Sequence, residues 1–83
     1  MSVQMQIRDT YERFTVIRSA QLTRVHNILD IDECKSTVRI MAELHADEIY
    51  LYENTIRSLL RELELTGRAE CISGQGYRRL ERA

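Results

Sequence analysis

Residues 53–80, ENTIRSLLRELELTGRAECISGQGYRRL, decide the fold. Ile56, Leu59, Leu60 and Leu63 follow the i, i+3, i+4, i+7 spacing that gathers apolar side chains on one face of a helix. Gly67 supplies the stop, because glycine enters the left-handed backbone of a helix end without steric cost. The spacing predicts a helix over about 53–66. Beyond it, RAECI and YRRLE read as two short strands, joined by the four-residue turn Ser73-Gly74-Gln75-Gly76.

Upstream of this stretch, Val38, Met41, Ala42, His45 and Ile49 share one face of a second helix, about Thr37 to Glu48, with His45 as a core or boundary histidine. A first helix over about 10–30 follows from Tyr11, Phe14, Ile17 or Arg18, Leu22, Val25 and Ile28 or Leu29, with Asp9 and Glu12 spaced as a capping box. Ser19 offers a second start, for a shorter helix from about Ala20. Val3, Met5 and Ile7 alternate with Gln4 and Gln6, so residues 1–9 read as a short strand or a flexible arm. The fold class expected is mainly α with a C-terminal β-hairpin, a single domain over 1–83.

Composition narrows the function. A chain of 83 residues has room for one core with a thin stability margin, which oligomerisation would widen. Its 43% hydrophobic and 30% charged residues are those of an ordinary globular domain. No apolar run reaches the ~18–20 residues of a membrane span, and MSVQMQIRD lacks the regions of a secretory signal, so a cytoplasmic location without membrane contact is expected. Cys34 and Cys71 lie far apart without a CxxC pair, which fits buried free thiols better than a disulfide framework. Zinc held by Cys34, Cys71, His26 and His45 is set aside, because neither a close Cys pair nor a close His pair exists. No metal, cofactor or small-molecule ligand is inferred.

A net charge of −1 weighs against nucleic-acid binding, which draws affinity from phosphate contacts. The acidity is concentrated in residues 31–50, with five acidic groups against two basic ones; residues 51–83 carry six Arg against five Glu. Eleven of the twelve basic residues are Arg, whose planar fork suits guanine edges and phosphates, and protein carboxylates equally.

The stretch from residue 37 to residue 80 resembles the second helix, recognition helix and wing of prokaryotic and phage winged helix-turn-helix regulators, over just over half the chain. ENTIRSLLRELELTGRAE and GQGYRRL carry the resemblance most, through a Thr, a β-branched residue, a Leu-rich inner face, a Leu-Glu pair, a Gly stop and a Gly-Tyr-Arg strand. In that family a small residue precedes the recognition-helix Thr by about nine positions; here Ala46 stands nine before Thr55. That spacing lengthens the second helix and leaves Ile49-Tyr50-Leu51-Tyr52 as the connection, either a turn or a short strand.

The resemblance implies a three-helix core plus wing that binds double-stranded DNA as a transcription regulator. Asn54, Ser58 and Arg61 then stand at the centre of the major-groove face, with Thr55 beside them and Arg57 on the flank. Arg68, Arg78, Arg79 and Arg82, with Gln75, are expected around the glycine-rich tip, and Tyr77 packing onto the helix. The apolar first helix suggests a homodimer reading two half-sites ~34 Å apart. A competing reading has Glu53, Glu62 and Glu64 hold the arginines in surface ion pairs, the chain then being a protein-interaction module, an adaptor or inhibitor engaged through residues 32–48. Enzymatic readings lack parts: SGQG precedes no helix, neither histidine has a nucleophile at suitable spacing, and no catalytic residue is assigned.

Overall fold

The computed structural model describes residues 3–81, with side chains for residues 14–81. Three helices, α1 (Val3–Ile28), α2 (Thr37–Ala46) and α3 (Glu53–Leu65), precede an antiparallel hairpin of β1 (Ala69–Ile72) and β2 (Gly76–Arg79). Helix α1 runs unbroken through the segment where alternation suggests a strand or arm, and through both starts proposed at Asp9 and Ser19. Nothing interrupts it, since residues 3–28 contain neither proline nor glycine.

Both ends of α2 and the C-terminal end of α3 have identifiable partners, whereas Tyr52 at the start of α3 makes no side-chain cap. The Ser36 hydroxyl accepts from the Arg39 amide and caps α2. Helix α2 stops where Glu48 takes a left-handed φ of 62°, the Ile49 amide bonding back to Leu44 O at 2.8 Å and the Glu48 amide to His45 O at 3.0 Å. That is a Schellman end built without glycine. Helix α3 ends in the same way on Gly67, with φ 74° and the Arg68 amide on Leu63 O at 2.8 Å.

The turn after α2 lies at Asp47 and Glu48, and Ile49 to Tyr52 form neither a turn nor a strand but an unpaired connection. Ile49 and Leu51 pack against the core while Tyr50 and Tyr52 stay exposed, which produces the strand-like alternation.

The core joins Val25 and Leu29 of α1, Ile40 and Leu44 of α2, Ile56, Leu59, Leu60 and Leu63 of α3, and Ala69 of β1. Burying each of the larger side chains contributes ~1.5–3 kcal/mol. The inner face of α2 is thus Ile40 and Leu44 with half-buried Met41, one position off the expected register. Val38 is 69% exposed, and His45 is no core residue: it lies outside, its ring 5.3 Å from that of Tyr50.

Lys35, only 7% exposed, locks the hairpin to the helices. Its backbone exchanges both hydrogen bonds with Tyr77, each 2.9 Å, adding a third strand-like segment beside β2. Its ammonium donates to Ile28 O at the end of α1 (2.6 Å) and to Glu43 of α2 (2.8 Å). Gly76 makes the approach possible: with φ 111°, its Cα lies so close to the Lys35 carbonyl that no Cβ fits. Arg79 N completes the docking on Asp30 O at 2.8 Å.

The hairpin loop comprises residues 73–75, because Gly76 already pairs with Ile72. Cys34 is half-buried and Cys71 exposed, so the expectation of two buried thiols holds for neither in full; both are free. Among the described residues no helix is long and apolar enough to cross a membrane.

Candidate functional site

The outer face of α3 is the polar surface with the most definite geometry. Opposite the four buried residues stand Asn54, Arg57, Ser58 and Arg61, all exposed, with Thr55 half-buried at the edge. Two open grooves flank this ridge. One, of about 420 Å³, runs between α1 and α3 and is lined by Phe14, Ile17, Arg18 and Gln21 on one side and Asn54, Thr55 and Ser58 on the other. The second lies between α3, the start of α2 and the hairpin, where Arg57, Ser58 and Arg61 face Thr37 and Tyr77. Tyr77 packs there as expected, and partial burial pushes its phenol above the ordinary value.

The charges on this face are unequally committed. Arg57 donates to Glu53, one turn back, at 2.7 Å. Arg18, reaching over from α1, donates to Glu62 at 3.0 Å and to the Ser58 hydroxyl at 3.1 Å. Arg61 forms no ion pair, and Asn54 makes no side-chain hydrogen bond, among the described residues. Glu64, close to Arg61 in the second groove, remains unpaired among those residues.

The hairpin differs from the sequence expectation. Ala69 pairs with Arg79 and Glu70 with Arg78, so Arg68, Arg78 and Arg79 sit at its base and along its strands, while the tip carries only Ser73, Gly74 and Gln75. The register places Arg78 and Arg79 three and four positions beyond Gln75, the last residue of the loop. Arg78 bonds Glu70 across the strands at 2.6 Å, and that carboxylate raises the guanidinium pKa further above its ordinary value. Arg79 lies 3.6 Å from Glu81, and Arg68 is exposed without an ion pair among the described residues. Arg82 lies outside the described residues.

Among the described residues, ion pairs thus interrupt the row of arginines between Asn54 and Arg78. Glu53, Glu62 and Glu70 each take one arginine of the region, and Arg61 is left as the unpaired cation at the centre of α3. Within residues 32–48 the acidity is also partly consumed, since Glu33 and Glu43 both hold Arg39, at 2.6 and 3.3 Å, and Glu43 holds Lys35. Among the described residues no group of three or more His, Cys, Asp or Glu is placed to hold a metal ion.

Sequence reasoning missed two residues. Arg18 was visible only as an alternative to Ile17 on the inner stripe of α1; its spacing from Leu22, Val25 and Leu29 marks it as the residue that turns inward. Lys35 left no signal, because a lysine between cysteine and serine in a loop reads as a surface residue. Compared with known proteins, the chain matches no family model, no curated protein and no solved structure.

Proposed function

We propose that the chain is a cytoplasmic, sequence-specific DNA-binding transcription regulator of winged helix-turn-helix architecture, with α3 as the recognition helix and the hairpin as the wing. One observation carries the reading. Helix α3 buries Ile56, Leu59, Leu60 and Leu63, and keeps Asn54, Arg57, Ser58 and Arg61 exposed on the opposite face, immediately before a hairpin docked against the same body. Such a ridge suits the major groove, ~12 Å wide, where Asn and Arg bond adenine and guanine edges. The pairing of Arg57 with Glu53 is no obstacle, because an exposed i, i+4 pair is worth only ~0.3–0.5 kcal/mol.

A domain of net charge −1 has little general attraction for phosphates, and a second copy on the DNA would compensate for that. Helix α1 supplies a surface for a homodimer, since Phe14, Val16 and Ile17 are 63%, 68% and 57% exposed. Sedimentation equilibrium is expected to give a dimer at micromolar concentration; a strict monomer removes the two-half-site picture. Fluorescence anisotropy with a random duplex pool at low and moderate salt tests DNA binding itself. Binding that weakens linearly on a log–log salt scale supports the reading, and no binding at low salt overturns it.

A second reading has a specific observation in its favour. Glu53 and Glu62 neutralise arginines on and beside α3, and Glu70 does so on the hairpin, as a protein-interaction module would have it. Failure to bind DNA at low salt transfers the function to that class.

A further inference from the structure

The polar ridge of α3 has five side chains that sequence spacing ranks only as centre, edge and flank, and the structure distinguishes them further. Thr55 is half-buried at the edge of the groove that α1 and α3 line. Arg57 is held one turn back by Glu53 at 2.7 Å. Ser58, in the middle of the ridge, has its hydroxyl engaged by Arg18 at 3.1 Å, and the same guanidinium covers the Glu62 carboxylate at 3.0 Å. That leaves Asn54 and Arg61, exposed and without side-chain partners among the described residues.

Resting on the DNA-binding reading above, we infer that Asn54 and Arg61 are the specificity-determining pair of α3, that they select an adenine and a guanine about three base pairs apart, and that Arg18 is the positioning residue that silences the centre of the ridge.

The spacing follows from helix geometry. Residues 54 and 61 are seven positions apart, which is two turns on one stripe and about 10.5 Å of axial rise. At about 3.4 Å per base pair, side chains that far apart along a helix lying in the groove meet bases about three steps apart, on either strand. The chemistry assigns the bases. A carboxamide offers one donor and one acceptor, the complement of adenine N7 and N6–H₂, whereas a guanidinium offers paired donors, the complement of guanine O6 and N7. Ser58 stands between them in sequence and on the same stripe. With its oxygen already bonded to a cation, it has less capacity for a base edge, so the steps between adenine and guanine are expected to show no preference from α3.

Arg18 has a second effect. Its contact neutralises Glu62, which otherwise sets a carboxylate beside incoming phosphates. The pair is only partly exposed, with side chains 29% and 40% accessible, so it persists in the free protein more readily than the open Arg57–Glu53 pair.

The test uses the full 83-residue chain and a randomised 20-base-pair duplex pool, enriched by repeated capture and sequenced. Wild type is expected to enrich adenine and guanine about three positions apart with an indifferent gap. Asn54→Ala is expected to flatten only the adenine column, Arg61→Ala only the guanine column, each weakening the selected site by about 5- to 150-fold, while Ser58→Ala leaves the motif unchanged. Arg18→Ala is expected to weaken binding to every duplex by a similar factor, and the second change Glu62→Gln to restore most of it; a merely structural Arg18 gives no such rescue. A clear motif that survives Asn54→Ala and Arg61→Ala, or that Ser58→Ala or Arg57→Ala erases, overturns this assignment while DNA binding stands. A pool that yields no bound duplex at low salt overturns the DNA reading itself, and the assignment with it.

Discussion

Gly74 and Gly76 look interchangeable in SGQG, yet the structure gives them different duties. Both have positive φ, 78° and 111°, but a Cβ on Gly74 meets nothing within 4 Å, whereas one on Gly76 overlaps the Lys35 carbonyl. Gly74→Ala is therefore expected to cost only the backbone strain of a left-handed alanine, about 1 kcal/mol. Gly76→Ala must also push β2 off Lys35, for a loss on the order of 2–4 kcal/mol; thermal melting of both variants checks the difference, and equal losses contradict the docking. Glu48 gives the opposite case. It holds φ 62° at the end of α2 without any glycine, so Glu48→Gly is expected to raise stability by ~0.5–1 kcal/mol in the same measurement. The sequence flagged the turn at Gly67 and hid the one at Glu48, because only the first uses the residue whose conformational freedom announces a helix end.

At the scale of elements, helix α3 was legible because its leucines fit a single register and no other. Helix α2 was not, since two stripes shifted by one residue both match the template: Val38, Met41, Ala42 and His45, or Thr37, Ile40, Met41 and Leu44. The second wins because it buries the larger aliphatic side chains, and Ile40 and Leu44 are fully enclosed. Leu44→Ala is expected to cost ~2–5 kcal/mol, enough to threaten so small a domain, while His45→Ala changes the melting temperature little. The reverse order would restore the rejected register. The hairpin was legible as an element, but the strand pairing was not: only the observed register shows that its arginines stand at the base and that Arg78 meets Glu70. Asn54, Arg57, Ser58 and Arg61 do lie on one exposed face of α3, yet the engagement of Ser58 depends on Arg18, a contact across forty residues that no local pattern reveals.

Across the whole molecule, one titration is set by the hairpin and the residues after it lying near the end of α1. His26 of α1 has its pKa lowered from 6.5, first by loss of hydration and then by Arg68 nearby. The unfolded chain thus takes up a proton at a pH where the folded chain resists it, so stability is complete above about 6.5 and declines as pH falls below that value. Thermal melting between pH 7.5 and about 5.5, above the range of the carboxylates, is expected to show this decline, and His26→Gln to flatten it; an unchanged slope in the variant assigns the effect elsewhere. Lys35 has a consequence of another kind. A two-stranded ribbon of four-residue strands is marginal by itself in water. Here its inner edge is bonded to a segment whose ammonium is bound to the last turn of α1 and to Glu43 of α2. The ribbon then has no private way to open. In deuterium exchange, the amides of Lys35 and Tyr77 are expected to lose their protons only as fast as the helical core unfolds, so that a surface hairpin reports the cooperativity of the entire chain.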